Sequence, residues 1–214
     1  MINALISGKQ KIDDGAQAPK GKRALNRAKL LRTGAELLSE QSYAYTGVDH
    51  IIVKTGLTKG TFYHYFKSKE QFALEVVDLY ADYFNQKLDT YLLNDSQPPL
   101  ERLSAYVSDT IRTMKRDRFT RTCLVGNLSQ ELGGHDSALV DVLKAAFAGW
   151  QQRVAICLDE AQARGDISEV ADTHELAALF WMGWEGALMQ ARLFKRADPI
   201  QSFFEGYMKV VLNY

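Results

Sequence analysis

Three potential helix starts follow one another between residues 46 and 71, so this stretch can hold only short helices joined by tight turns. Thr46 is predicted to be the N-cap of the first helix, with Asp49 at its third position. Gly56 stands where the chain must leave that helix, because glycine readily adopts the left-handed backbone that ends many helices. Thr58 can then cap a second helix. This spacing predicts a helix-turn-helix.

The second short helix opens with a turn that is rich in donors and contains no bulky side chain. Its first residues are Lys59, Gly60 and Thr61, and such a helix start can approach the groove and the phosphates of DNA. Ser68 with Gln71 forms a capping box, which predicts a further helix directly behind it. The pattern therefore predicts a DNA-reading helix held between two supporting helices.

The aromatic residues of this short helix are predicted to divide between its two faces. Phe62, Tyr65 and Phe66 must largely pack inward to hold so short a helix, which turns Tyr63 and His64 outward toward phosphate oxygens. The alternative is that Tyr63 and His64 only complete a small core beside a solvated face of lysines. The predicted DNA contacts are Thr46, Thr58, Lys59, Gly60, Thr61, Tyr63, His64 and Lys69.

Charge is distributed unevenly along the chain. The 26 basic and 26 acidic residues cancel overall, which taken alone argues against a nucleic-acid partner. Residues 1–70, however, carry 12 basic and 6 acidic side chains, whereas the remainder carries 14 and 20. A basic segment joined to an acidic body is the asymmetry expected of a DNA-binding domain attached to a separate partner domain.

The string from Lys59 to Glu70, KGTFYHYFKSKE, resembles the recognition-helix signature of tetracycline-repressor (TetR) family regulators. The resemblance implies an all-helical fold and a homodimer. It also implies a repressor that leaves its double-stranded DNA operator when a small-molecule inducer binds the C-terminal domain.

The rest of the chain is predicted to be helical throughout. Apolar residues recur at helical spacing, and no segment alternates as a strand would or approaches membrane-spanning length. We therefore predict an all-α fold in which residues 23–70 bind DNA and residues 71–214 bind the ligand and dimerise. Residues 1–22 have no apolar period and are predicted to be a disordered arm, with a DNA-contacting arm as the alternative.

The segment Ala177–Gln190 is apolar nearly all round, so one buried face within a monomer would not cover it. It therefore favours a homodimer contact, with a fully internal core helix as the alternative. The TetR resemblance implies a four-helix interface built from the helices around residues 138–164 and 173–195.

The presence of only two cysteines is typical of proteins in a reducing cytoplasm, and the sequence predicts a different role for each. Cys157 falls in the apolar period of a long helix and is predicted to be inert core. Cys123 lies at the start of a predicted helix, close in sequence to Arg116, Arg118 and Arg121. Cations and a helix N-terminus both favour the nucleophilic thiolate, so Cys123 is either a sensor or a small buried hydrophobe.

A second resemblance concerns the ligand domain. Residues 122–132, TCLVGNLSQEL, together with WQQR at 150–153, are similar to the branch of regulators that responds to acrylate or controls N-ethylmaleimide reductase. The resemblance implies an inducer that is acrylate-like or electrophilic, and a role for Cys123 in the response. The other candidate inducer contacts are Tyr106, Arg121, Asn127, Gln130, Trp150 and Trp184.

Enzyme signatures do not occur in this sequence. The four histidines (His50, His64, His135 and His174) include no pair with zinc-site spacing, and neither a Gly-x-Ser-x-Gly nor a Gly-x-Gly-x-x-Gly motif is found. We therefore predict no enzyme, cofactor or metal. The competing prediction is a DNA-binding architectural protein without a ligand, which a solid core in the C-terminal domain would favour.

Overall fold

The computed structural model describes residues 21–213, and in that range the chain forms nine α-helices and no strand. The helices are α1 (Lys22–Glu40), α2 (Val48–Thr55), α3 (Lys59–Tyr65), α4 (Lys69–Leu92), α5 (Pro99–Arg116), α6 (Leu124–Leu132), α7 (Ala138–Ala163), α8 (Thr173–Phe194) and α9 (Asp198–Leu212). The predicted all-α fold with an N-terminal helix-turn-helix is confirmed. Of the predicted arm, only Gly21 and Lys22 lie within the described residues. Between residues 21 and 213, no helix is both long and apolar enough to span a membrane.

Most of the predicted helix ends are found. Gly56 ends α2 with φ of 65°, and the Thr58 hydroxyl caps α3 by accepting from the Thr61 amide at 3.1 Å. Ser68 likewise accepts from the Gln71 amide at 3.0 Å at the start of α4. The N-cap predicted at Thr46 is wrong, because α2 begins one residue later with Gly47 as its N-cap.

Thr46 has a different role because it is buried in the loop before α2. Its hydroxyl donates to the Ser42 carbonyl at 2.8 Å and accepts from the Gln41 amide group at 3.2 Å. These contacts hold the loop closed and leave the hydroxyl facing away from the amides of α2. Thr46 therefore stabilises the loop between α1 and α2.

The chain divides into two compact units. The first contains residues 21–81 and Leu124–Leu143, and the second contains Asp82–Cys123 and residues 144–213. The domain boundary predicted at residue 70 differs from this division, because α4 continues unbroken past that point and α6 packs on α1.

The first unit is built on an aromatic core under the short helices. The rings of Phe62, Phe66 and Phe72 lie with centroids 5.0–5.3 Å apart, and all three side chains are buried. Gly34 of α1 permits a close approach, since a Cβ there would lie 2.4 Å from the Phe72 ring. This core fixes α3 against α1 and α4 and leaves the opposite face of α3 open.

The second unit has α8 in close contact with α9. A Cβ at Gly183 would lie 2.1 Å from the Phe203 ring, so glycine at this position serves packing within the chain. The Tyr207 hydroxyl of α9 donates to the Leu176 carbonyl of α8 at 3.0 Å. These contacts hold α8 rigidly and thereby position the side chains that it directs into the core.

Candidate functional site

The exposed face of α3 carries the side chains that were predicted to face outward. Lys59, Gly60 and His64 are exposed, and Tyr63 is 50% exposed, whereas Phe62 beside them is fully buried. The division between inward and outward aromatic residues is therefore the one expected from helical periodicity. A hydroxyl, an imidazole and an ammonium group project from one short helix.

Two polar contacts order the start of α3. The Thr58 and Thr61 hydroxyls lie 2.9 Å apart, and Lys59 Nζ pairs with the Asp49 carboxylate at 3.1 Å. Both members of the ion pair are exposed, so the pair is weak and an incoming phosphate could displace the carboxylate. Thr46, in contrast, is buried and already hydrogen-bonded within its loop.

The Lys69 side chain makes its contacts within the protein. Its Nζ donates to the Tyr43 carbonyl at 2.6 Å and lies 4.0 Å from the centre of the Tyr43 ring. Burial lowers the pKa of Lys69, and the Glu131 carboxylate opposes part of that shift. Lys69 was expected to contact phosphate. In this structure it holds the loop between α1 and α2.

Helix α6 contacts the same loop through Glu131. Its carboxylate accepts from the Tyr43 amide at 2.6 Å and from the Ala44 amide at 2.7 Å. One turn earlier on α6, Asn127 Nδ2 donates to the carbonyls of Leu38 and Ser39 at 3.3 Å each. Through these two side chains, α6 provides hydrogen-bond partners for backbone amides of the loop and for backbone carbonyls at the end of α1.

Two candidate inducer contacts therefore lie in the first unit. Asn127 is engaged with α1, and Gln130 is exposed on α6. They were predicted as inducer contacts because amide and basic groups can bind the carboxylate of an acrylate-like compound. Arg121 is half-buried in the loop that precedes α6.

The other candidates lie in the second unit, where the structure brings them together. The Tyr106 ring lies 5.4 Å from Trp184 and 6.4 Å from Phe84, centre to centre, and Phe84 lies 4.6 Å from Trp150. Trp181 continues the group at 5.2 Å from Trp150. All of these rings are buried. We call Tyr106, Cys123, Trp150, Trp181, Trp184 and Glu185 the sensor cluster, after the role that we propose for these residues.

This cluster contains polar atoms that are buried without a hydrogen bond. In residues 21–213, the buried side-chain nitrogen and oxygen atoms that lack a partner are Tyr106 Oη, the Nε1 atoms of Trp150, Trp181 and Trp184, and Glu185 Oε1. The Tyr106 hydroxyl lies near Thr110 and Trp184 but makes no hydrogen bond of acceptable geometry. Buried polar groups are nearly always hydrogen-bonded in folded proteins, so these five exceptions set the cluster apart from the rest of the described core.

Glu185 was not singled out from the sequence, although it is the one acid within the apolar segment Ala177–Gln190. Burial raises its pKa to about 7, and hydrogen bonding with the Cys123 thiol opposes part of that shift. Burial, followed by the charges of Cys123 and Glu185, also raises the pKa of Tyr106 well above its ordinary value of 10.0. These three groups therefore lie within electrostatic reach of one another.

Cys123 is 4% exposed and immediately precedes the first residue of α6. The loop leading to it contains Arg118 and Phe119 with φ of 53° and 54°, a left-handed conformation that non-glycine residues rarely adopt. Lys195 Nζ holds this loop by donating to the Phe119 carbonyl at 3.1 Å. Backbone strain of this kind concentrates at binding and switch segments.

Cys157 has different surroundings. Its thiol donates to the Pro99 carbonyl at 3.2 Å, and burial raises its pKa to about 12. A thiol with that pKa is not a nucleophile near neutral pH, since only the thiolate reacts. Cys157 therefore serves as a matched control for Cys123.

No group of three or more His, Cys, Asp or Glu side chains in the described part of the chain is arranged to hold a metal ion.

Comparison with known proteins gives matches along most of the chain. The family of bacterial regulatory proteins of the tetR type matches residues 30–76, and the tetracyclin repressor-like C-terminal domain matches residues 99–207. Transcriptional regulator AcuR of Cereibacter sphaeroides is 44% identical over 178 residues, covering 81% of this chain and 80% of AcuR. The HTH-type transcriptional repressor NemR of Escherichia coli K12 is 22% identical over 176 residues, covering 82% and 88%.

Solved structures agree with these matches. The crystal structure of regulatory protein TetR from Rhodobacter sphaeroides has a TM-score of 0.83 at 40% identity, covering 86% of this chain and 97% of that one. Reduced E. coli NemR shares the fold, with a TM-score of 0.77 at 21% identity over 87% of this chain and 97% of that one. This chain therefore belongs to the TetR family of transcriptional regulators.

Proposed function

We propose that this regulator is a homodimeric repressor, released from its operator when an acrylate-like or electrophilic small molecule reaches the sensor cluster. The observation that carries the proposal is the set of five buried, unpartnered polar atoms in one aromatic cluster. An aromatic wall with a few convergent polar groups is the usual composition of a small-molecule site. The reduced thiols are compatible with the cytoplasmic location that we propose for a DNA-binding protein.

Operator binding is assigned to the exposed face of α3 and its N-terminus. Tyr63 and His64 present polar groups without being needed in the core, and Lys59 can exchange Asp49 for a phosphate. The exposed side chains of Lys59, Tyr63 and His64 therefore suit contacts with phosphate oxygens.

Homodimer formation is supported by an apolar stripe on α8. Leu179, Met182, Met189 and Leu193 are 41%, 67%, 48% and 71% exposed, and their spacing places them along one side of the helix. A second copy of the chain would cover this stripe. Two recognition helices could then reach grooves about one DNA turn apart, roughly 34–36 Å.

Helix α6 is the proposed route from sensor to DNA-binding unit. It starts at the residue after Cys123, and Asn127 and Glu131 on it hold the end of α1 and the following loop. A ligand or an adduct at Cys123 would displace the start of α6 and, through those contacts, the helices that support α3. A movement of α4 can accompany this one.

The test is a DNA-binding titration on the region upstream of the protein's own gene, with and without acrylate and N-ethylmaleimide. The wild-type protein and Cys157→Ser should bind and be released, whereas Cys123→Ser should bind without release by the electrophile. Equal release of Cys123→Ser would remove the cysteine from the mechanism. Specific binding that neither compound affects would favour a DNA-binding protein without these inducers.

A further inference from the structure

Half of the positive charge of the second unit lies in two short segments. They are residues 115–121, at and beyond the end of α5, and residues 192–196, at and beyond the end of α8. Of the 14 basic and 20 acidic residues between 71 and 214, seven basic residues and a single acidic residue fall in these segments. The seven are Lys115, Arg116, Arg118, Arg121, Arg192, Lys195 and Arg196. A local net charge of +6 therefore lies within a stretch of chain whose net charge is −6.

The fold joins the two segments into one surface. Lys195 Nζ donates to the Phe119 carbonyl at 3.1 Å, and Arg192 Nη1 lies 3.5 Å from the Thr122 hydroxyl oxygen. The Phe119 side chain is buried, so the loop between these contacts packs against the unit. Five of the seven basic side chains are exposed and two are half-buried. We call the seven residues together the basic patch.

The ends of the two helices account for only part of this charge. Lys115 and Arg116 lie in the last turn of α5, and Arg192 lies in the last turn of α8. Cations in those positions interact favourably with the helix dipole. The effect falls off beyond the last turn, so it does not account for Arg118 and Arg196, which follow the helices.

Neighbouring carboxylates neutralise little of the basic patch. Asp117 pairs with Arg116, with Nε 3.2 Å from Oδ1. Among residues 21–213, neither Lys115 nor Arg118 has a carboxylate partner. Like charges held close together repel one another, and a partner that carries several negative charges would offset that repulsion.

Double-stranded DNA is the partner that this charge fits. The family to which the chain belongs binds DNA, and DNA carries one negative charge for about every 1.7 Å of its axis. Several cations on one surface can therefore each meet a phosphate, whereas a small anion would engage only one or two of them. The rest of the stretch from 71 to 214 is acidic and would repel DNA, so the basic patch is the part of the second unit that suits its approach.

We propose that the basic patch is a second DNA-contacting surface, which binds phosphates outside the bases that α3 reads. It adds affinity and salt dependence to operator binding but no base preference, because phosphate contacts carry no sequence information. The inference rests on the operator binding proposed above and is independent of the inducer.

The experiment compares two variants of the full-length chain that lose the same charge. The patch variant combines Lys115→Gln, Arg118→Gln and Arg196→Gln. The control variant combines Lys144→Gln, Arg164→Gln and Lys209→Gln, which are exposed positions of the second unit outside the basic patch. Affinity for the DNA upstream of the protein's own gene is measured by anisotropy between about 50 and 200 mM salt. Circular dichroism checks that both variants fold.

The patch variant should bind DNA with a less steep dependence of log K on log salt. The slope should flatten by roughly 2.7 for each basic patch in contact, which is about 0.9 for each of the three lost phosphate contacts. Affinity at about 0.1 M salt should fall roughly 100-fold. The preference for the operator over scrambled DNA should be unchanged, and the control variant should have the slope of the wild-type protein.

Lysine footprinting tests the same surface without any substitution. The wild-type protein is acetylated with and without DNA, and the modified lysines are identified by mass spectrometry. DNA should slow the acetylation of Lys115 several-fold and leave that of Lys209 unchanged, because both lysines are exposed in the free chain but only Lys115 belongs to the basic patch.

A patch variant whose salt slope equals that of the control variant would overturn the inference. Equal acetylation of Lys115 with and without DNA would overturn it as well, and this result decides the question if the patch variant does not fold. If the slope is unchanged but calorimetry detects tripolyphosphate binding that only the patch variant loses, the basic patch binds a small polyanion and the assignment to DNA is wrong. No inducer is present in these measurements, so a failure of the inducer proposal would alter neither the slope nor the footprint.

Discussion

The contact between Glu131 and the loop before α2 allows the role of α6 to be tested at a single residue. Glu131→Gln keeps the shape of the side chain but leaves only one acceptor oxygen for two backbone amides. The other position becomes an NH₂ group that faces the amide of either Tyr43 or Ala44, which are now held at 2.6 and 2.7 Å. One hydrogen bond is lost, and two donors are brought together.

The expected cost follows from these two contacts. A hydrogen bond to a charged group contributes about 1.5–3 kcal/mol, and the partial exposure of this loop places the loss at the lower end, about 1.5 kcal/mol. Each 1.4 kcal/mol corresponds to about a tenfold change in an equilibrium constant. Local opening of the loop should therefore become roughly tenfold more frequent.

Amide hydrogen exchange measures this opening directly. Peptides covering residues 41–47 should exchange roughly tenfold faster in Glu131→Gln, whereas exchange in α8 should not change. Glu169→Gln is the matched control, because that carboxylate is exposed in the loop before α8. Operator affinity should be retained, and release by the electrophile should weaken.

Unchanged exchange in residues 41–47 would refute the assignment of Glu131 as an anchor of the loop. Faster exchange together with a normal electrophile response would support Glu131 as an anchor of the loop but refute α6 as the route of the signal.

Three further outcomes are expected from other parts of the molecule. Burial raises the pKa of Glu185 from 4.5 to about 7, so the folded chain binds this proton more tightly than the unfolded chain does. The free energy of unfolding therefore falls as pH rises through that window, and Glu185→Gln should remove about 2.5 kcal/mol of the fall between denaturant titrations at pH 5 and pH 8. Tyr63→Phe should weaken operator binding about fivefold in an anisotropy titration, with an unchanged salt slope because no charge is removed. Met182 is 67% exposed in the single chain but would be covered in the proposed dimer, so Met182→Glu would bury a charge there and light scattering should find monomers. Val170 is 76% exposed in a loop, and the control Val170→Glu should remain dimeric.

The sequence was sufficient to predict features that depend on neighbours a few residues away. The caps at Thr58 and Ser68 were predicted correctly, because a capping hydroxyl accepts from the amide three positions ahead. The inward position of Phe62 and the outward position of Tyr63 follow from helical periodicity in the same way. The all-α fold and the helix-turn-helix follow from the sum of such local signals.

Tertiary structure decided the roles that depend on distant partners. Glu131 meets the Tyr43 amide 88 residues earlier, and Asn127 meets the Leu38 carbonyl 89 residues earlier, so neither role is visible in the residues around them. Thr46 was misassigned as a cap because its buried hydroxyl donates back to the Ser42 carbonyl.

Glu185 shows the same limit at the sensor cluster. Glutamate side chains are usually exposed to solvent, so the residue type alone predicts a surface charge at this position. Only the packing of α8 removes the Glu185 carboxyl from solvent and brings it to the Cys123 thiol. Its pKa is a property of that burial, because charge in a low-dielectric interior is costly whichever residue carries it. The sequence alone determined the helices and the exposed face of α3, whereas burial and the partners across the core decided which polar groups lie buried without a hydrogen bond.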